Sequence, residues 1–154
     1  MTKNRVLILL DGSEFRARIL PYVRQFLRAE DNHLILIRVA PPPQTIYHSD
    51  YHTEGPVFVS VHDEQLEADI STQMREELME TKQMLEAAGY VVNRQVRFGS
   101  EAEEIERAIV EAKIDLVAMT THARAGLSKL LYGSIAEHLL HHAKVPIMLL
   151  HPDE

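Results

Sequence analysis

The feature that most narrows the fold of this chain is an alternation. Short apolar runs take turns with stretches whose apolar residues recur at helical spacing. Val6–Leu10 is apolar throughout, as expected of a strand buried on both faces. Phe15, Ile19, Val23, Phe26 and Leu27 then share one face of a predicted first helix, and Leu34–Val39 forms a second strand. Pro41-Pro42-Pro43 stops regular structure, because proline lacks an N–H and restricts the residue before it. From Gln44 to about Val61 the chain is polar, carries tyrosines, histidines and Gly55-Pro56, and reads as a long surface loop. Leu66, Ile70, Met74, Leu78 and Leu85 mark a long second helix ended by Gly89. Val91–Val96 is a third strand, made edge-like by Asn93 and Arg94. Ala102, Ile105, Ala108, Ile109 and Ala112 face inward from a third helix. Ile114–Met119 and Pro146–Leu150 are the fourth and fifth strands, with a fourth helix between them. Ser100-x-x-Glu103 and Ser134-x-x-Glu137 read as capping boxes that open the third and fourth helices. The pattern predicts a Rossmann-like α/β fold: an open, mostly parallel sheet with helices on both faces and right-handed crossovers. One domain over residues 1–154 is expected. Periodicity alone does not order the strands.

Several function classes are excluded or disfavoured. The chain has no cysteine, so disulfides, thiolate metal sites and cysteine catalysis are absent. A formal net charge of -7 and scattered basic residues argue against a nucleic-acid surface. The densest basic pair, Arg16-x-Arg18, falls on a predicted helix. No apolar run approaches the roughly 20 residues of a membrane span. Met1-Thr2-Lys3-Asn4 leads directly into the first strand and leaves no room for a signal peptide, so a cytoplasmic location is expected. Neither GxGxxG nor GxxxxGK[ST] occurs.

Two elements point to a ligand site. Asp11-Gly12-Ser13 follows the first strand directly, and open α/β sheets bind ligands at the carboxyl ends of their strands. Gly133-Ser134 stands at the start of the fourth helix, where free N–H groups and a partial positive charge attract anions. Gly133 would let a phosphate approach the backbone. Ser134 is equally explained as an N-cap, and Ser13 as the N-cap of the first helix.

Several stretches, in order along nearly the whole chain, resemble the universal stress protein family. Asp11-Gly12-Ser13-Glu14 is similar to the family's opening turn, and Gly99 to Ile105 to its Gly-x-x-Ala-x-x-Ile stretch. Thr121 to Ser128 through Gly133-Ser134-Ile135-Ala136-Glu137-His138 resembles its signature region, and Lys144 to Leu150 its closing strand. The resemblance implies a five-stranded sheet ordered 3-2-1-4-5, with the switch point between strands one and four. It also implies an ATP site in that crevice. Asp11 and the backbone of Val39 would meet adenine, and Met119 and Thr120 would flank the ribose and α-phosphate. Ala123, Arg124, Gly133, Ser134 and Ile135 would receive the phosphates, with Mg²⁺ as a possible companion and Lys129 as a nearby counter-charge. Nucleotide-binding members carry Gly-x-x-Gly, nine residues, then Gly-Ser or Gly-Thr. Here Thr120 and Ala123 replace the first two glycines. Thr120 is stiff at χ1, and Ala123 resists positive φ.

Other residues are weaker candidates. His48-x-Asp50-x-His52 reads as a solvated loop rather than a metal site, and His138, His141 and His142 as the solvated side of the last helix, so no metal is expected. His122 lies in the signature region and suits a hydrogen-bonding role. No catalytic residue is expected: Ser13 is not on a G-x-S-x-G elbow, and no general base is evident near the phosphates. Met74, Met79 and Met84 read as core or interface filler. The apolar edge strand Pro146-Ile147-Met148-Leu149-Leu150 calls for pairing, and the resemblance implies a two-fold homodimer through it. The expected function is that of a small ATP-binding stress-response regulator with an altered phosphate loop, without turnover. The alternative is a nucleotide-independent interaction or scaffold protein that uses residues 41–61, and slow ATP hydrolysis is a third option.

Overall fold

The structure, a computed structural model, describes residues 2–49, 57–121 and 133–151. Its main sheet contains β1 (Asn4–Leu9), β2 (Asn32–Ala40), β5 (Val91–Phe98), β6 (Leu116–Thr120) and β7 (Ile147–Leu150). The order is β5-β2-β1-β6-β7, and all four pairings are parallel. In the order of its own strands this is the 3-2-1-4-5 arrangement. Leu7 on β1 stands opposite Ile35 on β2 and Val117 on β6, which fixes the centre of the sheet.

Alternate side chains of β1 and β2 feed two cores. Val6, Ile8, Leu34 and Leu36 pack on one face with Ile19, Val23, Leu78 and Leu85. Leu7, Leu9, Ile35 and Ile37 pack on the other with Ile105, Ala108, Ala136 and Leu139. The period of two along each strand therefore serves both faces, and the strands read as continuous apolar runs. The helices are α1 (Glu14–Ala17) and α2 (Leu20–Phe26), α3 (Glu64–Ala87), α4 (Glu101–Glu111) and α5 (Ser134–His142). α2 and α3 contribute to the first core, α4 and α5 to the second.

Four local expectations are corrected. The single first helix is two short ones, because Pro21 sits in the first turn of α2, where its missing N–H costs nothing, and could not continue a helix from α1. Phe26 consequently leaves the inner face and is 63% exposed. The segment read as a loop contains a hairpin, β3 (Gln44–Ser49) against β4 (Val57–His62), antiparallel from Gln44↔His62 to Ser49↔Val57. Thr45, Ile46 and Tyr47 on one side and Val57, Phe58, Val59 and Val61 on the other are the β-branched and aromatic types that favour strands, and they outweigh the polar residues between them.

Neither capping box forms. Ser100 caps α4 without a side-chain hydrogen bond. α5 is capped by Gly133, so Ser134 is already the first helical residue. Ser13, by contrast, does cap α1, accepting from the Arg16 N–H, and Asp63 caps α3 through the Leu66 N–H. Met74 is core as expected, whereas Met79 and Met84 are exposed. Among the described residues no helix is long and apolar enough to cross a membrane.

Candidate functional site

β1 is central and its neighbours β2 and β6 are reached in opposite directions, so the switch point lies at the carboxyl ends of β1 and β6. A cavity of about 180 Å³ opens there. Its walls include Met119, Thr120 and Thr121 from the end of β6, Gly133, Ser134 and Ile135 from the start of α5, and Arg16 and Glu101. Five of the residues named from sequence, Met119, Thr120, Gly133, Ser134 and Ile135, thus meet in one place. Ala123 and Arg124, with His122 and Lys129, lie outside the described residues.

The β1 turn is organised from within. The Asp11 Oδ1 accepts from the Ser13 N–H at 2.9 Å and from the Ser13 hydroxyl at 2.5 Å. The same hydroxyl accepts from the Arg16 N–H at 3.2 Å. Gly12 has φ +83, which glycine alone adopts freely, and a Cβ there would lie 3.2 Å from the Arg38 guanidinium. Arg38 is in turn paired with Glu77 on α3. Burial pulls the Asp11 carboxyl upward, but the Ser13 hydrogen bonds and then the Arg16 charge outweigh it and hold the group below the ordinary carboxylate range.

Arg16 is the residue that joins this turn to the cavity. Its Nε is 3.2 Å from Asp11 Oδ2, and its Nη1 is 2.6 Å from Glu101 Oε1 in the first turn of α4. The Thr120 hydroxyl donates to the Arg16 carbonyl at 3.2 Å. Asp11 therefore reaches the cavity through Arg16 rather than through its own carboxylate. Val39 packs partly buried against the core of Ile35 and Ile37 and is not in the wall of this cavity.

Arg16 and Glu101 were not named as site residues from sequence, and Thr121 entered only as the start of the stretch that resembles the family's signature region. Arg16 had one available signal, its place one helical turn beyond an Asp-Gly-Ser motif. Glu101 had none, since its partner is 85 residues away.

The opposite wall is built by the end of β6. Thr121 is buried, and its N–H donates to the Leu150 carbonyl at 2.8 Å. Its hydroxyl accepts from the Gly133 N–H at 3.2 Å, which ties the strand end to the start of α5. Thr120 is a strand residue, opposite Leu150 on β7 and 2% exposed. Among the described residues the one non-glycine with positive φ is Lys113, so Thr120 carries no left-handed strain. What threonine changes at this position is the shape of the wall and not the dihedral angles. The N-cap of α5 is Gly133, which has no side chain with which to cap the helix, and Ser134, Ile135 and Ala136 of its first turn line the cavity. Gly133 sits here with φ -56, and among the described residues a Cβ would meet nothing within 4 Å. Neither backbone conformation nor packing against the described residues requires glycine at this position.

An open, doubly wound parallel sheet with a polar crevice at its switch point defines a class of α/β ligand-binding domains. Within that class, residues 3–151 match the model of the universal stress protein family, and the chain belongs to that family. It is 32% identical over 76 residues to universal stress protein MJ0531 of Methanocaldococcus jannaschii, a match that spans 49% of this chain and 45% of that relative. It is 22% identical over 152 residues to universal stress protein MJ0577 of the same organism, covering 96% of this chain and 94% of the relative. The solved structure of MJ0577 superposes with a TM-score of 0.70 at 20% identity, over 100% of this chain and 99% of that one. A universal stress protein in complex with cAMP gives 0.65 at 18% identity, covering 99% and 100% of the two chains. A family member from Arabidopsis thaliana with AMP bound gives 0.62 at 12%, covering 97% and 92%.

Proposed function

We propose that the crevice binds an adenine nucleotide, that its phosphate is received by the start of α5, and that binding serves a regulatory role without turnover. The observation that carries this reading is Gly133. Nothing among the described residues uses its missing side chain, whereas a phosphate approaching the helix N-terminus would. Arg16 adds a cation to the same wall, already shared between Asp11 and Glu101. Structural relatives that hold cAMP and AMP support an adenine nucleotide as the ligand class. ATP, with or without Mg²⁺, is the ligand the family resemblance favours. The wall residue best placed to act as a base, Glu101, is held by Arg16, so no hydrolysis is expected.

Calorimetric titration with ATP and Mg²⁺, AMP and cAMP, together with mass spectrometry of nucleotides released on denaturation, tests the reading. Saturable binding of any of the three supports it. Silence from all three, with nothing released, overturns it in favour of a nucleotide-independent interaction protein. Steady-state phosphate release above background would overturn the claim of no turnover.

The same proposal includes a two-fold dimer. β7 is an edge of the main sheet, with β6 on one side and no described strand on the other. Its residues Ile147, Met148, Leu149 and Leu150 are only half-buried in the isolated chain. An antiparallel pairing with a second copy would satisfy that edge. Light scattering at micromolar concentration should report a dimer, and a monomer would count against the assembly.

A further inference from the structure

α4 and α5 lie side by side over the same face of the sheet, with Ile105 and Ala108 of one and Ala136 and Leu139 of the other in a shared core. Their outward sides bring Glu106, His138 and His142 together. One ligand atom from each lies within 4.8 Å of the other two. His138 and His142 are four residues apart on one helix face, and their rings stack with centroids 4.3 Å apart. From these positions we propose that the three side chains form a site for a divalent transition-metal cation of the zinc type. None of its three residues lines the crevice, and the site does not depend on the nucleotide reading.

The hydrogen bonds around the two histidines support this. His142 Nδ1 is 2.8 Å from the His138 carbonyl oxygen. A carbonyl only accepts, so Nδ1 carries the proton and Nε2 is left with a free lone pair. A ligating histidine is usually fixed in this way, with its other nitrogen donating to a backbone carbonyl. His138 Nε2 donates to Glu106 Oε1 at 2.9 Å, so carboxylate and imidazole already converge, and a metal ion would take the place of that shared proton. Two histidines and one glutamate make a donor set that zinc accepts, with the fourth position left open. Ligands 2.0–2.1 Å from a shared ion stand about 3.4 Å apart at the tetrahedral angle, so the Glu106–His138 pair, now 2.9 Å apart, must open slightly while His142 draws in by up to about 1.4 Å. Their partial exposure allows that through side-chain rotation: His138 and Glu106 are 33% and 38% exposed, and His142 is on the surface. Glu106 also lines an open cavity of about 400 Å³ with Glu103, Arg107, Val110 and Glu111 of its own helix, so its carboxylate is reached by solvent. The neighbouring cation, Arg107, is engaged by Glu104 at 2.7 Å.

The test is titration of the metal-free full chain with Zn²⁺ by calorimetry, and with Co²⁺ by its visible d–d absorption. One ion per chain is expected, with a four-coordinate Co²⁺ spectrum. His138→Ala and His142→Ala should each weaken binding by at least the roughly 10–100-fold that loss of an orienting partner alone costs. Glu106→Gln, which keeps the shape and removes the charge, should weaken it similarly. It decides the matter if a histidine variant fails to fold by circular dichroism. The double variant His48→Ala with His52→Ala should bind as the wild type does. Absence of saturable uptake overturns the proposal. So does uptake that survives His138→Ala and His142→Ala, or survives Glu106→Gln, or disappears in the His48/His52 double variant.

Discussion

Two glycines stand at helix starts beside the carboxyl ends of the sheet, Gly12 after β1 and Gly133 before α5, and they are glycines for different reasons. Gly12 is demanded by the fold: its φ is +83, and the Arg38 guanidinium occupies the space a side chain would need. Gly133 is demanded by nothing among the described residues: its φ is -56, and no described atom lies within 4 Å of where a Cβ would stand. The same contrast runs through their neighbours. Around Gly12 the polar groups are spent on one another, Asp11 on Ser13 and Arg16, and Ser13 on the first turn of α1. Around Gly133 the first N–H groups of α5 have no side-chain cap. A conspicuous motif can thus be mainly structural, while the plainer element opposite it keeps its hydrogen-bonding capacity for a ligand.

The comparison can be broken most directly at the glycines themselves. Gly12→Ala should destabilise the chain by about 1–3 kcal/mol through left-handed strain and the clash with Arg38, lowering Tm by several degrees. Gly133→Asn keeps a good N-cap residue and should leave stability within about 0.5 kcal/mol, yet weaken nucleotide binding about tenfold or more by filling the approach to α5. Thermal unfolding and calorimetry on both variants give the answer. A stable Gly12→Ala, or a Gly133→Asn that binds as well as the wild type, would erase the distinction.

The next effect concerns Thr120. Thr120→Gly alone should cost about 1–2 kcal/mol, because glycine weakens a strand and the buried hydroxyl bond to the Arg16 carbonyl is lost. Combined with Ala123→Gly, it should tighten ATP binding if the lost glycines are what limits the phosphate wall. Unchanged affinity would show that they are not.

Arg16→Ala sharpens the role of the bridge. Its partners are partly exposed, with Asp11 at 40% and Glu101 at 33%, so solvent screening keeps the stability loss under about 1 kcal/mol. The larger consequence should be weaker binding of phosphorylated ligands relative to adenosine, read by parallel titrations.

The smallest effect is on acid stability. The Asp11 carboxyl is held below its usual range in the folded chain. Its contribution is therefore complete above the unfolded pKa and is lost as pH falls through the lowered folded value. Asp11→Asn should flatten the pH dependence of the urea midpoint in that acidic window, and an unchanged slope would contradict the assignment.

Much of this was legible along the chain. The five main strands, the core positions of α3 and α4, and Ser13 as a cap all depend on neighbours within a few residues, and periodicity reports them. Pro21 was equally visible and marks the break between α1 and α2, a local signal outweighed by the apolar spacing of Ile19, Val23 and Phe26. The hairpin of β3 and β4 was obscured because its apolar residues are interleaved with histidine, serine and tyrosine. The caps of α4 and α5 failed because a serine at the right spacing does not set the angle at which the chain enters a helix.

The sequence by itself determined the α/β class, the two apolar faces of the sheet and the glycine-serine step before α5, since each follows from local pattern and chain sterics. Only the tertiary structure decided that Arg16 would join Asp11 to Glu101, that Thr121 would hold Gly133, and that Glu106 would meet His138 and His142. Those meetings depend on strand order and on which face each crossover helix covers. Both are set by burial of the whole sheet, which no local spacing encodes.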